Sequence, residues 1–218
     1  MRALFFGSIG SIVETSELQR QAFNDAFAEH GLGWHWDQAT YQGLLSLGGG
    51  DNRIASYAQS QGETVDARAL HQTKTQHFQS LLTRGRLAIR EGVVDTLNWA
   101  QEHGIKIGFI STTHPVTVRT IRETLAQRSE AKFDWVTDAE NGFAQKPSSQ
   151  CYDWAIVTSG ENADDILVVE DNGPGVKAAK AAGLKVVAYP GENTRLADMD
   201  GADIITTATL LQDIQRYH

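Results

Sequence analysis

The residues of this chain whose types suit chemistry on an anion gather in a few short loops. Glu170-Asp171 closes an apolar run and is followed by Asn172-Gly173-Pro174-Gly175. Two adjacent carboxylates at such a place make the oxygen-rich site that a hard cation such as Mg²⁺ prefers. Asp171 or Asn172 capping the next helix accounts for the same residues equally well. Lys146 stands before Pro147, where its ammonium can sit beside a phosphate or between carboxylates, or can be solvated surface. Ser111-Thr112-Thr113 offers hydroxyls and backbone N–H groups ahead of a helical pattern, which suits an anion or a plain helix cap. The segment Phe6-Gly7-Ser8-Ile9-Gly10-Ser11 has the same strand-to-loop character but no carboxylate.

The elements that must position these loops follow from periodicity. Apolar runs at Ala3 to Phe6, Ile105 to Ile110, Ile166 to Val169 and Lys185 to Tyr189, with a weaker one at Phe133 to Thr137, read as buried parallel strands. Helical patterns follow at Gly92 to Glu102, Pro115 to Gln127, Ser148 to Thr158, Gly175 to Ala182 and Thr207 to Tyr217, with Pro147 placed at a helix start. Strand alternating with helix predicts an α/β fold, a doubly wound, Rossmann-like parallel sheet. The stretch between the first two strands is far longer than one crossover needs. It carries helix-like patterns at Glu17 to His30, Gln38 to Leu45, Asp51 to Gln61 and Asp66 to Leu82. We therefore expect residues 1–15 and 87–218 to form the core and residues 16–86 an inserted helical cap. In open sheets of this kind ligands bind beyond the carboxyl ends of the strands, where all of the loops above lie.

Composition narrows the partners. A formal charge of -8, with no run of lysines and arginines to break it, disfavours nucleic acid and anionic membrane surfaces. A small anionic metabolite needs individual cations set into this acidic surface. The single cysteine, Cys151, excludes an intrachain disulfide and suits a reducing, cytoplasmic setting. The apolar run at Ala3 to Phe6 stops at Gly7, too short for a secretory leader, and no stretch has the length of a membrane span.

Taken in order, the loops resemble the haloacid dehalogenase (HAD) superfamily, whose motifs supply an aspartate pair, a Ser/Thr, a Lys and an acidic metal-binding group. The segments Trp34-His35-Trp36-Asp37 with Tyr41, Gly49-Gly50-Asp51-Asn52-Arg53-Ile54, Arg90-Glu91-Gly92-Val93 and Glu170 to Val176 are similar to the CbbY-type branch beside β-phosphoglucomutase. That branch comprises sugar-bisphosphate phosphatases acting on xylulose 1,5-bisphosphate. The resemblance implies catalytic roles at positions 7 and 9 and for Ser111 and Lys146. It also implies substrate contacts from Ser8, Gly10, Ser111, Thr112, Lys146 and Arg53, and Mg²⁺ held through Glu170 and Asp171. In that mechanism the first aspartate attacks phosphorus and the second, two residues on, serves as acid and base.

Here Gly7 and Ile9 replace the two aspartates. Along an extended segment these positions face one way, so a hydrogen and a butyl group stand where two carboxylates would. Neither can attack phosphorus or carry a proton, and Mg²⁺ loses its first-loop carboxylate. In the cap, Asp51 stands at the branch's lysine and Gln19 at a histidine, which leaves Arg53 to counter an anion. The expectation is a catalytically silent or very weak phosphatase homologue with a phosphosugar as candidate ligand. The alternatives are an active hydrolase with a rewired nucleophile, for which Ser8 and Ser11 have no base at sequence range, and an interaction protein using Trp34, Trp36 and Tyr41. Those aromatics read more readily as cap core.

Overall fold

The structure, a computed structural model, describes residues 1–84, 87–194, 199–206 and 209–218. Its centre is a parallel sheet of β1 (Ala3–Phe6), β2 (Lys106–Ile110), β3 (Trp135–Thr137), β4 (Ile166–Glu170), β5 (Lys185–Ala188) and β6 (Ile204–Ile205) in the order β3-β2-β1-β4-β5-β6. β1 and β4 are buried along their whole length, as continuous apolar runs require when helices cover both faces. Phe6 pairs in register with Phe109 of β2 and Val169 of β4. The chain therefore leaves β1, β2 and β4 at one edge. The strand order reverses at β1, the switch point where such sheets open a crevice.

Around the sheet lie α5 (Val93–Glu102), α6 (Pro115–Ala126), α7 (Gln150–Ser159), α8 (Gly173–Ala181) and α9 (Leu210–Gln215). One apolar cluster fills the face that includes Leu4, Phe6, Leu97 and Ile121, and a second fills the face that includes Phe5, Tyr152, Val168 and Val176. The local signals act as their chemistry dictates. His114 caps α6 by accepting from the Val116 amide, and Asn172 caps α8 by accepting from the Gly175 amide at 2.9 Å.

Several expectations shift in detail. α7 begins at Gln150 rather than beside Pro147, and α8 begins at Gly173, two residues early, because the Asn172 cap fixes its start. β3 is confined to Trp135–Thr137. β6, a two-residue edge strand beside β5, has no sequence signal. The predicted start of the last helix at Thr207 lies outside the described residues.

α1 (Ser16–Glu29), α2 (Gln38–Leu44), α3 (Gly50–Gln61) and α4 (Ala67–Arg84) occupy the insertion, with no strand among its described residues. They enclose their own aromatic cluster of Phe23, Phe27, Trp36, Tyr41, Ile54 and Leu70. Trp36 and Tyr41 are fully buried there, so these two rings present no surface to another chain. These helices close over the sheet edge through Gln79 Nε2 against His114 Nδ1 at 2.8 Å and Gln38 Nε2 donating to Asn193 Oδ1 at 2.9 Å. Ile9 packs against both the core cluster and a smaller cluster of Ala22, Phe78 and Leu82 from α1 and α4.

Candidate active site

The floor of the cleft is built around Lys146 and Glu170. Glu170, the last residue of β4, is fully buried, and Lys146 is nearly so. The Lys146 ammonium donates to Glu170 Oε1 at 2.6 Å, to the Tyr152 hydroxyl at 3.1 Å, to the Ile110 carbonyl at 3.2 Å and to the Gly7 carbonyl. These acceptors already exceed its three N–H groups. Tyr152, on α7, donates to the same Glu170 Oε1 at 2.6 Å. Burial, and then the charge of Glu170, raise the Tyr152 phenol well above its ordinary pKa, so it stays a proton donor.

Gly7 explains why this network can exist. A Cβ at position 7 would overlap the Tyr152 hydroxyl and the Glu170 carboxylate. The volume into which any side chain at that position would project is filled by the phenol. Gly175 does the same service from the other side, since a Cβ there would overlap the Glu170 carboxylate. Glu170 Oε2, which has no hydrogen-bond partner among the described residues, thus lies against the first turn of α8, where the helix dipole favours an anion.

Asp171 turns toward the first loop. Its Oδ1 accepts from Ser8 Oγ at 2.5 Å and from Asn172 Nδ2 at 2.6 Å. Burial, followed by the neighbouring Glu170 charge, pushes the Asp171 carboxyl above its usual range, against the pull of Ser8, Arg90 and Asn172. Ser8 is extended, and a 3₁₀ turn over Ile9–Ser11 follows at once, so the loop bends away rather than running on as a strand. Gly10 is buried behind it against Asp171. Arg90 fixes the turn, donating to the carbonyls of Gly10, Tyr189 and Pro190 at 2.7, 2.6 and 2.6 Å.

Above this floor is a cleft of about 390 Å³ between the sheet edge and the cap. The core wall includes Gly7, Ser8, Ile9, Ser111, Thr112 and Lys146, which brings together most of the residues singled out in the sequence. Ser111 Oγ accepts from the Thr113 amide at 3.1 Å, and Thr137 donates to the Ser111 carbonyl at 2.8 Å. The cap wall includes Gln19, Asp51, Arg53, His71 and Lys74. Arg53 Nε donates to the Leu47 carbonyl at 3.0 Å, and burial lowers the guanidinium's pKa. Lys74 donates to Gln19 Oε1 at 2.7 Å and lies over the rings of Phe23 and Phe78 at 4.8 and 4.7 Å.

Tyr152, Arg90 and Lys74 carry the arrangement without having been singled out for a role from sequence. Lys74 left a legible sign: it interrupts the stripe Leu70, Phe78 and Leu82 at helical spacing, where a charged residue needs a reason. Tyr152 left none, because its partners lie on other elements, and Arg90 was marked only as part of the Arg90-Glu91-Gly92-Val93 segment, with no role attached.

The donor set does not suit Mg²⁺. That ion demands near-octahedral oxygen ligands at close range. Glu170 Oε1 is taken by an ammonium and a phenol, Oε2 is pressed against α8, and of Asp171 Oδ1 is occupied by Ser8 and Asn172 while Oδ2 lies against Gly10. Among the described residues no three His, Cys, Asp or Glu side chains converge.

The family model described as haloacid dehalogenase-like hydrolase matches residues 10–189. The CbbY protein of Cereibacter sphaeroides is 32% identical over 207 residues, covering 93% of this chain and 90% of the relative. The plasmid-borne CbbY of Cupriavidus necator is 32% identical over 216 residues, covering 94% and 84%. Among solved structures, CbbY from Rhodobacter sphaeroides in complex with phosphate superposes with a TM-score of 0.81 at 29% identity over 94% of both chains. A variant of that protein in complex with xylulose 1,5-bisphosphate matches equally well. The chain, with its doubly wound sheet and helical insertion, belongs to the haloacid dehalogenase-like hydrolases and is related to their CbbY-type sugar-phosphate phosphatases.

Proposed function

We propose that this protein is a catalytically silent member of its family that binds a small phosphorylated metabolite, sugar-like in size, without hydrolysing it. The observation that carries the reading is the filled volume beside Gly7. The Tyr152 hydroxyl and the Glu170 carboxylate stand where a nucleophilic side chain would project. With Ile9 packed against apolar side chains of the cap, the first loop has neither a nucleophile nor an acid/base at the matching positions. Loss of a general acid/base alone lowers rates by ~10²–10⁴, and loss of the nucleophile removes the covalent route. Mg²⁺ supplies charge neutralisation to phosphoryl transfer when a site can hold it. The Lys146 ammonium takes over that local duty toward Glu170, which leaves the fold independent of metal.

The cleft keeps the means to bind. Ser8, Ser111 and Thr112 offer hydroxyls, Lys146 braces the floor, and Arg53 faces the ligand from the cap. The crystallised CbbY complex with a sugar bisphosphate supports the ligand class. No described helix is long and apolar enough to cross a membrane, and the buried free thiol of Cys151 suits a cytoplasmic setting. Thermal unfolding tests the combination. Millimolar xylulose 5-phosphate is expected to raise Tm by several degrees, as a ligand at about 100 times its Kd adds ~2.7 kcal/mol. Mg²⁺ alone is expected to leave Tm unchanged. A large Mg²⁺-induced rise without any effect of the ester would contradict the reading.

One observation favours a second reading. Ser8 Oγ donates to Asp171, a partly buried carboxyl whose raised pKa suits a general base. Such a pair can activate a hydroxyl for attack on phosphorus. It ranks second because among the described residues no uncommitted core-side cation stands near to offset the phosphoryl charge, and because Asn172 also donates to the same Asp171 oxygen.

A further inference from the structure

We infer that the loop after β5 latches the helical insertion shut, with the Asn193 side chain as the bolt, so that the cleft is covered before any ligand arrives. The inference does not depend on what the cleft binds.

The loop is mounted firmly on the core. The Tyr189 amide donates to the Glu170 carbonyl at 2.6 Å, and Arg90 holds the Tyr189 and Pro190 carbonyls at 2.6 Å each. The Tyr189 hydroxyl adds a bond to the Glu91 carbonyl at 3.0 Å. Past Pro190 the chain turns, with the Thr194 amide donating to the Gly191 carbonyl at 3.0 Å, and this turn carries Asn193 to the insertion.

Asn193 is fully buried, and both described partners of its side chain belong to the insertion. Its Nδ2 donates to Glu17 Oε1 on α1 at 2.6 Å, and its Oδ1 accepts from Gln38 Nε2 at the start of α2 at 2.9 Å. Glu17 Oε2 in turn accepts from Arg20 Nε at 2.9 Å, and Arg20 Nη1 donates to the Trp36 carbonyl at 2.9 Å. The grip therefore reaches the aromatic cluster of the insertion. One residue earlier, the Glu192 amide donates at 3.0 Å to Glu14 Oε2, in the linker that leads into α1. The other Glu14 oxygen accepts from the Ser16 amide at 2.9 Å. One short loop thus holds the first linker and two inserted helices.

Two other contacts press the insertion down. Ile9 with Ala22, Phe78 and Leu82 forms an apolar seam near the hinge, where Val13 and Ile89 bridge the two linkers. Apolar contact is non-directional, so it sets closeness rather than angle. Across the cleft, Gln79 meets His114 through one exposed hydrogen bond, which water replaces at little cost. The bond from the buried Asn193 amide ends on a carboxylate, which makes it the stronger kind. The angle of closure is set at the loop after β5.

Double electron–electron resonance on the ligand-free full chain tests this, with spin labels at Gln76→Cys on α4 and Glu123→Cys on α6, both exposed positions. The native thiol, Cys151, is buried and escapes the label. The labelled parent is expected to give one narrow distance. Asn193→Ala should populate a second, longer distance, with the open-to-closed ratio rising about tenfold or more as a charge-assisted bond and its neighbour are lost. Asn193→Asp should open the insertion too, by setting a carboxylate against Glu17. Adding Glu17→Gln to Asn193→Asp exchanges donor and acceptor, and the closed distance should return. Loss of packing alone would not be rescued in this way. Circular dichroism confirms folding, and if Asn193→Ala does not fold, Asn193→Asp with and without Glu17→Gln decides. A distribution unchanged by the Asn193 substitutions, one already divided in the parent, or an Asn193→Asp chain that Glu17→Gln leaves open overturns the inference.

Discussion

Replacing Gly7 with aspartate in the otherwise unchanged chain is expected to lower stability by about 3–5 kcal/mol and to give no phosphatase activity. The new Cβ meets the Tyr152 hydroxyl, which sits at the end of a rigid ring anchored on α7, and the buried Glu170 carboxylate. The aspartate also brings a further negative charge into a volume where Lys146 has no donor left for it. Adding Ile9→Asp does not relieve this, since the obstruction lies beside position 7. Pairing Gly7→Asp with Tyr152→Phe removes the hydroxyl and is expected to return ~1–2 kcal/mol of the loss. Urea unfolding of the three variants measures these differences. A Gly7→Asp protein within about 1 kcal/mol of the parent would show that the pocket yields easily and that the phenol is no obstacle.

Lys146→Met is expected to cost about 3–5 kcal/mol, because it leaves Glu170 charged and fully buried without its cation. The partner substitution should rescue it. In Lys146→Met/Glu170→Gln the buried charge is gone, and the double variant should be more stable than Lys146→Met alone. The double-mutant cycle reads the coupling directly. Independent, additive effects of the two substitutions would mean that the lysine and the glutamate do not depend on one another.

The first of these results concerns a part of the molecule that sequence reasoning could not reach, and the second a pair of which only the residue types could be read. The sheet was legible because Ala3–Phe6 and Ile166 to Val169 are unbroken apolar runs bounded by turn or polar residues. The inserted helices were legible because the stretch between β1 and β2 is far longer than one crossover needs and carries helical periodicity. The loops were legible because strand ends in such a sheet must share one edge. Element starts were less so: the Asn172 cap, rather than the proline two residues on, decides where α8 begins.

The site was half legible. Residue types and order identified Ser111, Lys146, Glu170 and Asp171 as belonging together. What fills the gap at Gly7 was invisible, because Tyr152 reaches it from a helix whose inward face looks like any other apolar face. Whether Lys146 stays open to a ligand is likewise a matter of geometry. Its acceptors come from the loop after β1 and from β2, α7 and β4, and no spacing along the chain predicts their meeting. The Ser8–Asp171 bond joins residues far apart in sequence for the same reason.

The most direct test of the account is ³¹P NMR of xylulose 5-phosphate mixed with stoichiometric protein and excess Mg²⁺ over several hours. The account predicts a shifted or broadened ester resonance and no inorganic phosphate beyond the protein-free control. Release of phosphate at rates on the order of 1 s⁻¹, within the ordinary enzyme range, or a phosphoserine signal lost in Ser8→Ala, would contradict it.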